Sequence, residues 1–277
     1  MGKVILCETK TAKEPFVFLN TKVYVYSYEE FCYYVYNNQI LVTMDIIDLS
    51  LCDWFEKQLD LKPLADELKS LMEKESPLED YLIKILMFKN YYDVNEIKSF
   101  VTEYEAGKLL RPNERDKKIA DGYLKYKRYT KAISMYKQLL VNEDKIADQI
   151  FLGNVYHNMA VALANNMQLN EARLAFLKAF TLNENEISLR SCFMVMASYE
   201  PEDIVKREMR KYHLPDNYLA AIMEEVANAK EEMEGMQLYH RLEKAMYNRE
   251  HGDMKGYLKR IDSVVSEIKE TFREQTI

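Results

Sequence analysis

The sequence is short of chain breakers. Its 277 residues include only 7 Gly and 6 Pro, the two residues that helix interiors exclude. So little punctuation argues against a turn-rich sandwich or barrel and for helices joined by short connections. Cysteine is also sparse: Cys7, Cys32, Cys52 and Cys192 stand far apart and share no CxxC spacing. That excludes a zinc ribbon or a dense disulfide framework and suits buried free thiols in a reducing compartment. No apolar run approaches the ~20 residues that cross a bilayer. The run Val4-Ile5-Leu6 is too short for a signal peptide, and Leu6 stands where a myristoylation motif needs Ser or Thr. A cytoplasmic chain with no membrane partner is expected.

Catalytic signatures are missing as well. There is no Walker loop, GxGxxG, GxSxG, HExxH or EF-hand run. His157, His213, His240 and His251 fall on different segments and read as surface or internally satisfied histidines rather than ligands. Asp45 with Asp48, and Glu224 with Glu225, read as helix-start charges and solvated surface rather than acid–base pairs. The expectation is no enzyme, no metal and no cofactor. Acidic residues outnumber basic ones, 45 to 38, for a net charge of −7, which repels phosphate backbones. The densest basic stretch, 111–127, is interrupted by Glu114, Asp116 and Asp121 and reads as a solvated helix face, so no nucleic-acid partner is expected. The 21 tyrosines could stack on bases. Tyr33, Tyr34, Tyr36, Tyr91 and Tyr92 lie within helical patterns, though, and are expected to pack.

What the chain does have is helix-forming pattern. Residues 1–26 differ from the rest: Val4-Ile5-Leu6, Phe16-Val17-Phe18-Leu19 and Lys22-Val23-Tyr24-Val25-Tyr26 predict a two- or three-stranded antiparallel piece that must lie on helices. Ser27 with Glu30 three later predicts a capped helix to about Tyr36. Further helices are predicted over 49–59 and from Pro63. Ser76-Pro77-Leu78-Glu79 reads as a capping box, and Asp93 with Glu96 as another. A helix pair over 186–199 and 202–212 follows later. Beyond it, one long helix runs from Asp216 to the break at Gly252-Asp253, and a last helix places Met254, Leu258, Ile261, Val265, Ile268 and Phe272 on one stripe. Folding of that stripe back onto 216–250 is favoured over pairing between chains, which leaves monomer or homodimer open. The expected domains are a small α+β module over 1–75 and a helical domain over 76–277 with capping helices at its end.

Within 119–179 the sequence repeats. Ala120, Tyr123, Tyr129, Ala132, Tyr136 and Leu139 are matched 40 residues on by Ala160, Leu163, Leu169, Ala172, Phe176 and Ala179. The first copy pairs helices over 117–127 and 130–141, the second a helix ending near Asn165 with one over 170–182. Residues 143–150, without Gly or Pro, are expected to lengthen the leading helix of the second copy. This pattern resembles the tetratricopeptide repeat, a helix-turn-helix unit of ~34 residues whose small residues let two helices cross closely. The chain departs from it in its 40-residue step and in Asp144 and Glu184, which replace the closing proline.

The resemblance implies a mostly α, right-handed array of TPR-like hairpins, with a concave groove that holds a peptide or protein partner. Groove-facing residues would be Lys117, Asp121, Leu124 and Lys125 in the first copy and Asn154, His157, Asn158, Val161 and Asn165 in the second. Lys117 with Asn158 resembles part of the family's carboxylate clamp. Asp121 stands where that clamp has asparagine, and Ser188 and Cys192 where it has basic residues, so the clamp is rejected. The leading expectation is a non-enzymatic adaptor or scaffold. The alternatives are a peptide-responsive sensor and, more remotely, an enzyme using His157 or Asp121 at the domain junction.

Overall fold

The computed structural model describes residues 10–141, 146 and 148–276. It is 76% helical, with a two-stranded antiparallel sheet near the N-terminus. The chain divides into two compact units, Met1–Tyr126 and Lys127–Ile277.

In the first unit β1 (Phe16–Phe18) pairs with β2 (Val23–Val25), Phe16 opposite Val25. Strand alternation turns Phe18 and Val25 into the core and leaves Tyr24 outside. The Val4-Ile5-Leu6 run and Cys7 lie outside the described residues. Helix α1 (Tyr28–Asn37) opens on Ser27, whose Oγ accepts from Glu30 N at 3.1 Å, while the Glu30 carboxylate accepts from Tyr26 N at 2.6 Å. Two 3-10 turns, Gln39–Leu41 and Met44–Ile46, lead to α2 (Leu49–Asp53), which Asp48 caps. Instead of remaining α-helical to 59, the chain widens into a π-helical turn at Trp54–Gln58. There Phe55 is buried, and Trp54 Nε1 donates to Glu14 O at 2.9 Å, holding the segment ahead of β1.

Helix α3 (Lys62–Glu73) takes Pro63 in its first turn and ends with Glu75 at φ 50°. Ser76 N donates to Leu71 O and Glu75 N to Met72 O, a Schellman ending with glutamate in the usual glycine place. That corrects the reading of Ser76 as an N-cap. Its backbone terminates α3, and α4 (Leu78–Met87) starts after Pro77 with no side-chain cap. Helix α5 (Val94–Lys108) does open on the expected box of Asp93 and Glu96. Helix α6 (Pro112–Lys125) lies on the turn at Gln39–Leu41, where a Cβ on Gly122 would come within 2.7 Å of Leu41 Cδ1. Residues on both sides of position 75 share one core, from Phe18 and Phe31 through Leu64 to Ile85 and Phe100. The buried Tyr28 hydroxyl joins them, donating to Ile85 O at 2.6 Å and accepting from Lys89 N at 3.1 Å.

The second unit is a run of helices: α7 (Tyr129–Leu140), α8 (Gln149–Asn165), α9 (Leu169–Asn183), α10 (Glu186–Tyr199), α11 (Glu202–Arg210), α12 (Asp216–Glu234), α13 (Gln237–Glu250) and α14 (Met254–Thr276). Each packs on the next, and α14 also reaches α7. Of the residues expected to lengthen α8, only 149 and 150 are helical among those described: Asp148 takes an extended backbone and caps the helix, its carboxylate accepting from Phe151 N at 2.9 Å, while residues 142–145 and 147 lie outside the described residues. Nor is 216–250 one helix. The chain leaves helical geometry at Met236 (ψ 143°), after Gly235 and a last turn rich in glutamate, where the helix dipole disfavours negative charge. The stripe of α14 packs on α13, with Val264 buried, while Leu258, Ile268 and Phe272 stay about half exposed.

The two matched stretches share two features. Their small residues Ala120, Ala132, Ala160, Ala172 and Ala179 are all fully buried. Their turns also share a backbone path. Tyr126 and Asn166 have φ, ψ of −91°, 18° and −91°, 15°, Lys127 and Met167 take φ 57° and 60°, and Arg128 and Gln168 have −83°, 59° and −89°, 64°. Three buried thiols, Cys32, Cys52 and Cys192, are free, and burial pushes each above the usual thiol range.

Two substitutions test this packing. Tyr28→Phe leaves a buried carbonyl and a backbone N–H without their shared hydroxyl and should cost about 1–3 kcal/mol. Gly153→Ala places a Cβ 2.6 Å from Asn183 Cβ, which backbone movement must relieve, and should cost about 1–3 kcal/mol. Urea denaturation followed by circular dichroism reads both; midpoints at the wild-type value would refute them.

Candidate functional site

Helix α8 carries its polar residues on one side. Asn154, His157, Asn158, Val161 and Asn165 recur at helical spacing, while Leu152, Val155, Met159, Ala162 and Leu163 are buried on the other. Asn154 and Asn165 are exposed; His157, Asn158 and Val161 are half-buried.

The stripe is held at three heights by three different helices. Near its start, Asn154 Oδ1 accepts from Asn183 Nδ2 of α9 at 3.1 Å. At its middle, His157 Nδ1 and Ser188 Oγ of α10 are 2.9 Å apart, and the imidazole meets the Phe176 ring edge-on at 5.3 Å. At its end, Asn165 Nδ2 donates to Val161 O at 2.9 Å and Asn165 Oδ1 accepts from Tyr129 OH of α7 at 3.2 Å. The first of these bonds follows from the close seating of α8 on α9, which Gly153 and the buried alanines permit. Asn183 carries no motif, and neither the place of Tyr129 in the repeat nor that of Ser188 in the clamp pattern pairs it with α8 in the sequence. Only the repeat's geometry would have pointed to them.

Lys117, Asp121, Leu124 and Lys125 stand on α6, in the first unit, whereas the other five expected groove residues stand on α8 in the second. Within the first unit, Lys117 Nζ pairs with Asp121 Oδ2 at 2.7 Å. Lys125 Nζ donates to Asn38 Oδ1 at 3.2 Å and lies 5.3 Å over the Tyr126 ring, and Leu124 is half-buried. The pairing of Lys117 leaves little positive charge for a carboxylate. Ser188 and Cys192, at the places of the clamp's distal residues, are fully buried.

Several other groups weighed from sequence have structural partners. Asp48 caps α2, Glu225 pairs with Arg190, His251 Nδ1 contacts Tyr247 O, and His240 lies 3.4 Å from Glu243. Tyr34 is buried with its hydroxyl 2.8 Å from Thr21 Oγ1, and Tyr36 stacks on Tyr92 at 4.2 Å. Tyr33 departs from the expected packing and is 56% exposed. Among the described residues no group of three metal-binding side chains forms, and no helix is long and apolar enough to cross a membrane. The sequence matches no protein-family model, no curated protein and no solved structure.

Burial holds the pKa of His157 below the usual imidazole value. The unfolded chain therefore takes up this proton first. The stability associated with a neutral His157 is complete above the ordinary histidine pKa of about 6.5 and declines as pH falls from there through the lowered folded value. The urea midpoint should drop between about pH 7 and pH 5, and His157→Gln should flatten that part of the profile. Parallel profiles for the two proteins would contradict the assignment.

Proposed function

We propose that this chain is a TPR-like helical-repeat binding protein, an adaptor or scaffold, and that the polar face of α8 receives a peptide or protein partner. The observation that carries this reading is the pinning of Asn154, His157 and Asn165 by side chains from three neighbouring helices. Polar groups fixed before a partner arrives lose little conformational freedom on binding. Carboxamides present both a donor and an acceptor, which suits the alternating N–H and C=O groups of an extended peptide backbone. Three of the five residues are asparagine, none is formally charged, and Val161 supplies an apolar contact between them. Binding of this kind depends on hydrogen bonds and fit more than on long-range charge. The shared turn geometry and buried small residues of the two copies support the repeat architecture itself.

A photo-crosslinking residue placed at Asn154, Val161 or Asn165, in the cell from which the protein comes, should yield an adduct of discrete mass. The same residue at Lys98 or Thr102, exposed on α5, should not. Raising salt from about 0.05 to 0.5 M should change recovery by no more than about twofold. Adducts equally frequent at α5 and α8, or none at α8, would overturn the proposal.

A further inference from the structure

We infer that the first unit carries a second, independent site, a tyrosine-lined cleft that binds a quaternary ammonium group. The cleft encloses about 400 Å³, and its lining includes Tyr24 on β2, Glu29, Tyr33 and Tyr34 on α1, Tyr91, and Tyr126 after α6. Helical spacing puts Glu29 and Tyr33 one turn apart on the same side of α1. Tyr24 reaches the cleft from the outward face of the strand.

Three features specify the ligand. The first is the walls. Aromatic faces carry negative charge density and attract cations, more strongly where water is excluded. Tyr24 and Tyr33 are each 56% exposed and stand at the mouth, while Tyr34 is 3% exposed and forms part of the lining. The Tyr126 ring already has the Lys125 ammonium 5.3 Å from its centroid. The second is charge. Two acidic residues, Glu29 and Glu30, lie in the lining. A positive guest gains from both the rings and the acid.

The third feature is the predominance of carbon in the lining, where tyrosine rings and the Val23 and Val25 side chains make most of the wall. A primary ammonium must give up water from three N–H donors to enter such a place. An alkylated ammonium has no N–H, lays its methyl groups against the rings and leaves a weaker hydration shell at lower cost, so the cleft favours it over a lysine.

Calorimetric titration of the full chain tests this, with choline chloride, with its uncharged isostere 3,3-dimethyl-1-butanol, and with N-acetyl-trimethyllysine amide and its unmethylated counterpart. One or both quaternary cations should bind, about tenfold or more tighter than the neutral alcohol and the unmethylated lysine. The tighter of the two distinguishes a free quaternary amine from a modified side chain. Tyr24→Leu and Tyr33→Leu, both at exposed positions, should each weaken binding by about three- to tenfold without altering the circular dichroism spectrum. No binding of either cation at tens of millimolar, equal binding of the alcohol, or wild-type affinity in both leucine variants would overturn the inference.

Discussion

The distance between α8 and α9 governs what the second unit can present. A Cβ at Gly153 would lie 2.6 Å from Asn183 Cβ, and Ala160, Ala172 and Ala179 are fully buried. Small residues at these places allow the helices to approach closely enough that Asn183 reaches Asn154 across the gap. A larger residue at any of them would open the pair and move the amide away. The same contact seats Phe176 against the His157 ring and leaves His157 in reach of Ser188. Packing and candidate site are therefore one construction, in which the apolar side of α8 sets the angle at which its polar side is displayed.

Glycine scarcity acts on the rest of the chain. Glycines lie inside helices at Gly122 and Gly153, where an added Cβ would strike a neighbour. Helix ends and turns then use other residues at positive φ, among them Asp60, Glu75, Lys127, Met167, Glu184 and His213. Each such residue costs about 1–2 kcal/mol relative to right-handed backbone, so the surrounding packing must hold these turns. The same strained turn recurs at Lys127 and Met167, 40 positions apart.

Much of the fold was legible because helices announce their ends locally. Asp93 with Glu96, Ser27 with Glu30, and Pro63 mark starts, and the helices follow within a residue or two. Where the reading failed, a second demand on the same residue prevailed. Ser76 looked like a cap but its N–H closes α3, and Asp148 stops α8 where the lack of Gly and Pro suggested continuation. Gly235 and the preceding glutamates ended a helix whose apolar positions ran on. Of the candidate site, the α8 stripe came from the resemblance to the repeat family, which implies which residues of a leading helix share a face. Its partners Tyr129, Asn183 and Ser188 could not be read from it, since each comes from a different helix. The tyrosine cleft was hidden for the same reason: its walls come from positions as far apart as Tyr24 and Tyr126, and each tyrosine taken singly suggests only packing.

The central claim is that the pinned face of α8 is where a partner binds. Hydrogen–deuterium exchange, measured on the chain alone and on the chain with a co-purified partner, addresses it directly. The account expects the added protection to concentrate in α8, residues 149–165, and at Asn183 and Ser188 beside it, with α5 unchanged. Protection gained elsewhere while α8 exchanges at its free rate would contradict it.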